Sequence, residues 1–159
     1  MYDVVHLPLY LGRESTTPSL YPSTGFRWDY PQMYDTPFFD RMAREGVKAT
    51  MIHHSLRKPS PNHYTIATGL VPDHHGIVAN TFWDPQRQEL YKISNLKTRN
   101  DASYYGGEPI WITAQKQGIK TGNIYWVGSD IAVKDSTPPT ITYTTRNPGS
   151  PRRSVWQRH

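Results

Sequence analysis

The side chains able to do chemistry in this 159-residue chain crowd into one stretch, Lys58 to Asp84, KPSPNHYTIATGLVPDHHGIVANTFWD. Three of the seven histidines lie there, His63, His74 and His75. Lys58, Ser60 and Asn80 offer a cation, a hydroxyl and an amide that could meet at one site. The pairs His53-His54 and His74-His75 invite a metal reading. Adjacent side chains diverge on a strand and on a helix alike, and carboxylates at matched spacing are lacking, so neither pair forms a site alone. His63 lies in a PNH turn and reads as a structural hydrogen-bonding group. Trp126, two residues before Gly128, reads either as a stacking shelf or as a core aromatic. The chain has no GxGxxG, no GxxxxGK[ST] and no GxSxG, so dinucleotide, P-loop and nucleophile-elbow readings fall away.

The elements that must position these groups follow an α/β order. Gly25 to Tyr30 is compact and aromatic. Thr36 caps a helix with Pro37 in its first turn. FFDRMARE continues it with one apolar stripe, and Gly46 ends it in a left-handed turn. Val47 to Ile52 is a strand candidate. Pro61-Asn62 opens a second helix that Gly69 stops, and Val71 to Gly76 is a turn. Ile77 to Ala79 is buried and ends at Asn80. Phe82 to Pro85 is a turn, and Leu96 to Gly107 a polar loop. A third helix, EPIWITAQKQ, is predicted to bury Ile110, Trp111 and Ala114 and to stop at Gly118. NIYWVGS is a strand ending in a glycine turn.

Three regions result: an irregular segment over 1–24, an α/β part over 25–130, which the resemblance given below implies is the N-terminal part of a catalytic domain, and an irregular basic tail over 131–159. The mean hydropathy of −0.70 is poor for a self-contained core of this length. A formal charge of +5 comes without basic residues alternating with aromatics along one face, so no nucleic-acid polymer is expected as partner. The chain has no cysteine, which excludes disulfides and thiolate metal sites. No apolar run approaches the roughly 18 residues of a membrane span. The N-terminus lacks the order of a secretory signal, so a cytoplasmic product is expected as written.

The stretch PNHYTIATGLVPDHHGIVAN closely resembles the nucleotide pyrophosphatase/phosphodiesterase family of the alkaline-phosphatase-like superfamily. GFRWDY, TPFFDRMAREGVKAT, GGEPIWITAQKQGIKT and YWVGS resemble that family's segments in the same order. The likeness covers Gly25 to Ser129. It implies an α/β, alkaline-phosphatase-like core fragment with a mainly parallel sheet and helices on both faces, here incomplete. It also implies an extracytoplasmic parent enzyme that cleaves phosphodiester or pyrophosphate bonds in nucleotides and similar small molecules. In that chemistry a threonine attacks phosphorus while two zinc ions and an asparagine amide stabilise the developing charge.

Carried over residue by residue, Asn80 matches the phosphate-contacting asparagine. Lys58 matches the lysine before the nucleophile, and Trp126 falls where an aromatic can stack on the base. Pro59 occupies the nucleophile's position, and Ser60 is one residue off. Thr24 stands where the first zinc-binding aspartate belongs, and a neutral hydroxyl does not offset the cation's charge. The remaining zinc ligands belong to the family's C-terminal half. No bound zinc and no turnover are therefore expected of this chain.

Both departures flank well-matched sequence. One codon choice for HHSLRKPS, read one base out of frame, gives PSFPSKTF. One for Tyr21 to Thr24, read the same way, contains SLD. A frameshifted, truncated product accounts for both. Two other readings are a non-catalytic nucleotide- or protein-binding module and a product without function.

Overall fold

The structure is a computed structural model that describes residues 20, 26–49, 58–124 and 126–133, together with the backbone of 141–143. Thr24, His53, His54 and half of the Val47 to Ile52 strand candidate (50–52) lie outside the described residues, and the described half, 47–49, forms no strand. The first elements are α1 (Tyr30–Met33) and α2 (Pro37–Glu45). Pro37 fills the first turn of α2 as expected, since a missing N–H costs nothing there. Thr36 does not cap by a side-chain bond to the backbone; its hydroxyl donates to Asp40 instead. Gly46 ends α2 in extended backbone (φ −120°, ψ −150°) rather than the left-handed turn expected. Neither helix buries a residue, and Phe38 is 80% exposed. The apolar stripe of α2 is real but faces no core.

The packed part begins with α3 (Pro59–Thr68) and the single-turn α4 (Pro72–His75). Gly69 and Gly76 end them at φ +70° and +85°, a region open to glycine at little cost. The reading of Val71 to Gly76 as a plain turn thus gives way to a short helix with a glycine stop. An antiparallel hairpin follows, β1 (Thr81–Asp84) on β2 (Glu89–Lys92), with Phe82 opposite Tyr91 and Trp83 opposite Leu90. The expected turn at Phe82 lies three residues later. Asp84 makes it by accepting the backbone N–H groups of Gln86 and Arg87 at 2.9 and 3.1 Å.

Leu96 to Gly107 is not a plain loop either. It holds α5 (Leu96–Arg99) and a 3₁₀ turn, Ala102–Tyr104. Tyr104 and Tyr105 are buried, and the Tyr105 hydroxyl meets that of Tyr91 at 2.9 Å. Arg87 clamps this turn from the hairpin. It donates to the Ser103 carbonyl at 2.9 Å and lies over the Tyr104 ring, 4.3 Å from its centroid. In α6 (Ile110–Lys116) the buried residues are Trp111 and Ile112, while Ile110 is 59% exposed. The expected face was rotated by about one residue because packing, not local pattern, sets it.

A second sheet pairs β3 (Gly122–Ile124) in parallel with β4 (Ile141–Tyr143). Ile131 and Val133 are 3% and 1% exposed and belong to the core with Tyr64, Ile77 and Tyr91. Ordered packing therefore continues past 130. The whole is a partial α/β fold of helices and small sheets. No helix of the described residues is long and apolar enough to cross a membrane.

The hairpin end carries a pH signature. The Ser103 hydroxyl and backbone N–H, with Arg87 nearby, hold the Asp101 carboxyl below its ordinary value. Lys97 at 2.5 Å, then the Tyr104 hydroxyl, do the same for Glu89. A carboxylate with a lowered folded pKa contributes stability above its unfolded value and loses it as pH falls through the folded one. Urea midpoints measured from pH 6 to pH 3 should therefore fall with acid. Asp101→Asn should flatten that fall; an unchanged slope would remove Asp101 from the account.

Candidate functional site

Local chemistry at the start of α3 is set by two prolines. Lys58 is the N-cap and adopts extended backbone (φ −108°, ψ 138°), as a residue before proline must. Pro59 and Pro61 then occupy the first and third helical positions. A helix start normally leaves several N–H groups free to bind an anion. Proline has none, so of the first three only that of Ser60 remains. Lys58 and Pro59 are exposed. Ser60 and Asn62 are buried, at 5% and 6% exposure. The hydroxyl nearest the position that the resemblance matches to a nucleophile thus belongs to a buried residue, while that exposed position itself is a pyrrolidine ring.

Two contacts tie this helix start to a distant strand end. The His63 Nδ1–H donates to the Pro59 carbonyl at 2.6 Å, which fixes that nitrogen as the protonated one. The Trp126 indole N–H donates to the His63 carbonyl at 3.0 Å, and the two rings meet edge to face at 5.4 Å. The structure therefore brings Pro59, His63 and Trp126 together. Trp126 is 8% exposed, with its only donor already used. At that exposure it offers no open stacking face.

The other end of α3 is fixed by His75, which is fully buried. Its Nδ1 accepts the Ile77 N–H at 3.2 Å. The proton therefore resides on Nε2, which lies 2.9 Å from the Thr65 hydroxyl. The ring is neutral and joins α3, α4 and the segment leading to Asn80. Beside it, the Tyr64 ring stands edge-on at 5.2 Å, and burial pushes its hydroxyl well above the usual tyrosine range. His74, its sequence neighbour, is exposed. The two adjacent histidines diverge as expected of adjacent side chains.

Asn80 ends the segment that His75 anchors. Its carbonyl accepts the Ile93 N–H at 2.9 Å, so the backbone is held by the start of the loop after β2. Its side-chain Oδ1 is buried and has no hydrogen-bond partner. A buried polar atom without a partner costs on the order of 1–3 kcal/mol, and no partner for it is found among the described residues. No contact of the Asn80 side chain with Pro59, His63 or Trp126 is found among the described residues.

The described residues do not by themselves assemble a metal centre. Among the described residues no group of three or more histidine, aspartate or glutamate side chains lies together. His75 uses both ring nitrogens within the protein, and His63 uses Nδ1. The link from Trp126 to His63 was missed in the sequence. It spans 63 positions, and no local pattern signals it.

Residues 24–158 match a family model described as type I phosphodiesterase / nucleotide pyrophosphatase. The chain is 38% identical over 122 residues to rat ectonucleotide pyrophosphatase/phosphodiesterase family member 3, covering 75% of this chain and 14% of that protein. It superimposes on the solved structure of murine ectonucleotide pyrophosphatase/phosphodiesterase 5 with a TM-score of 0.66 and 34% identity, over 79% of this chain and 34% of that one. It is equally similar to that murine protein's inactive threonine-to-alanine variant, solved in complex with AMP. The chain therefore spans a minor part of the relatives it matches.

Proposed function

Because this chain belongs to the type I phosphodiesterase / nucleotide pyrophosphatase family, we propose that it carries the substrate-facing N-terminal part of a zinc phosphodiesterase domain and lacks the group that attacks phosphorus. The observation that carries this reading is Pro59, exposed at the first turn of α3. A proline there removes two things at once. It has no hydroxyl to form a covalent intermediate. It also has no N–H to receive a phosphate oxygen at the helix start. Ser60 does not replace it, since it is buried one position further on.

The remaining groups can bind but not turn over. Lys58 is an exposed cation beside the helix start. Asn80 holds a polar side chain whose oxygen is unsatisfied. Trp126, at 8% exposure, would line the site rather than carry a base. Bound zinc would neutralise phosphoryl oxygens, with ligands drawn from outside the described residues. Nucleotide binding without hydrolysis is the second reading, and the murine relative's inactive variant with AMP bound favours it. An extracytoplasmic setting is proposed for the parent, since the relatives are named ectonucleotide enzymes. The shifted-frame origin of Pro59 and Thr24 is part of the same proposal, and the coding DNA decides it.

Zinc-supplemented assays with a p-nitrophenyl ester of a nucleoside monophosphate test the reading. The expected rate equals the buffer background. Turnover that a chelator abolishes would sink it. Titration with AMP addresses the second reading, and no heat change at millimolar ligand would remove it.

A further inference from the structure

One titratable side chain takes no part in the phosphodiesterase reading yet is fully buried, the imidazole of His75. It holds three pieces of chain together. Its Nε2–H donates to the Thr65 hydroxyl of α3 at 2.9 Å. Its Nδ1 accepts the N–H of Ile77, at the head of the segment ending in Asn80, at 3.2 Å. Its backbone carbonyl accepts the Gly106 N–H at 2.9 Å. A neutral imidazole fits these partners because it has one donor and one acceptor, whereas an imidazolium has two donors and no acceptor. A proton on Nδ1 would therefore set two N–H groups against each other. It would also place a charge where water does not reach, which is costly without a buried anion to offset it.

Among the described groups around the ring, the buried ones stay uncharged and the charged ones lie in solvent or in an ion pair. From α3, Tyr64 stands edge-on to the ring at 5.2 Å, and Tyr105 stands edge-on to Tyr64 at 5.3 Å. Burial pushes both hydroxyls up, so neither becomes an anion at neutral or acid pH. His63, also on α3, is turned to the Pro59 carbonyl, and the Tyr104 hydroxyl is turned to Glu89. On α4, Asp73 and His74 are exposed. Beyond Tyr105, Asp130 is paired with Arg99 at 3.6 Å. Residues Ile77 to Asn80 carry no titratable side chain.

We propose that His75 is an acid-sensitive latch: proton uptake at Nδ1 frees the Ile77–Asn80 segment from α3 and α4 while the β1–β2 hairpin stays paired. Above the range of a free imidazole, about pH 6.5, the opened and closed forms are both neutral and the latch holds. Below it the opened form takes a proton for which the closed form has no site, so the joint loses stability as pH falls. That window lies above the carboxylate range in which Asp101 and Glu89 act, so the two acid effects separate. The latch is independent of what the site binds or cleaves.

Amide hydrogen exchange of the full 159-residue chain tests it, with protection corrected for the intrinsic rate at each pH. Protection of the Ile77 and Gly106 amides should fall about 30-fold between pH 7.5 and pH 5, with that of the hairpin amides unchanged. In His75→Asn, which does not titrate and whose amide oxygen can stand in for Nδ1, the fall should vanish. Flat protection in the unaltered chain, an equal fall in His75→Asn, or a fall shared by the hairpin amides would each overturn the latch. Should His75→Asn not fold, the nitrogen-15 shifts of the unaltered ring decide. At pH 7.5 they should report the neutral Nε2–H form, and a charged ring or an Nδ1–H form would overturn the proposal.

Discussion

Turnover of a full-length relative, such as the murine family member 5, will fall at least about 10³-fold when a proline is placed at its nucleophile position. The reverse exchange, Pro59→Thr in this chain, will yield no measurable hydrolysis. The asymmetry follows from what each change supplies. In a complete enzyme, proline removes the attacking oxygen and a backbone donor together. In this chain, threonine restores both, but the described residues contain no metal-ligating cluster to activate the hydroxyl. The recovered N–H should still be felt in binding, because a hydrogen bond to a charged group contributes about 1.5–3 kcal/mol. Pro59→Thr is therefore expected to tighten AMP binding by about tenfold or more. Steady-state kinetics and calorimetry read the two halves separately. A relative that keeps its rate within tenfold after the exchange would show that this position does not carry the nucleophile.

Gly76→Ala will destabilise the chain by roughly 3 kcal/mol. About one part of that is the left-handed backbone, φ +85°. The larger part is contact. A methyl group at Gly76 would lie 2.6 Å from the Tyr104 carbonyl oxygen, and backbone cannot swing aside as a flexible side chain can. The neighbouring Gly106 N–H donates to the His75 carbonyl at 2.9 Å, so the seam is held on both sides. Gly69 supplies the control. It has a similar φ of +70° but open space around it, so Gly69→Ala should cost only about 1 kcal/mol. Urea titrations of the two variants measure the difference. Equal losses would mean that backbone conformation, not the close approach, governs Gly76.

Legibility in the sequence followed how local each signal was. The α3 helix and its stop were readable because Pro61-Asn62 and Gly69 act on their own neighbourhood. The structural roles of His63 and His75 were readable for the same reason, since their partners Pro59, Thr65 and Ile77 are near in sequence. The turn was placed three residues early, and the first strand of the hairpin missed, because Phe82-Trp83-Asp84-Pro85 carries both strand and turn residues. Only pairing with Glu89 to Lys92 decides between them. Ile110 and Ile112 exchanged places because a seven-residue helix has too few turns for periodicity to choose a face. The buried end at Ile131 and Val133 was hidden among proline-rich sequence. Within the candidate site, residue types were readable, and a core position was one of the two readings of Trp126. The burial of Ser60 and the choice between the readings of Trp126 were not readable from local pattern.

The two fastenings of α3 differ most in how much chain each must close. The Thr65–His75 contact spans 10 positions and the Trp126–His63 contact spans 63. In loop-closure entropy that separation costs about 1.6 kcal/mol more for the longer loop. The His75 fastening can form within a short stretch of nascent polypeptide, whereas Trp126 can dock only after the hairpin, α5 and α6 have taken up the slack between. Assembly of this chain thus runs from the glycine-capped end of α3 toward its proline-bearing end. On this count the proline-bearing end is the last to close and the first to loosen.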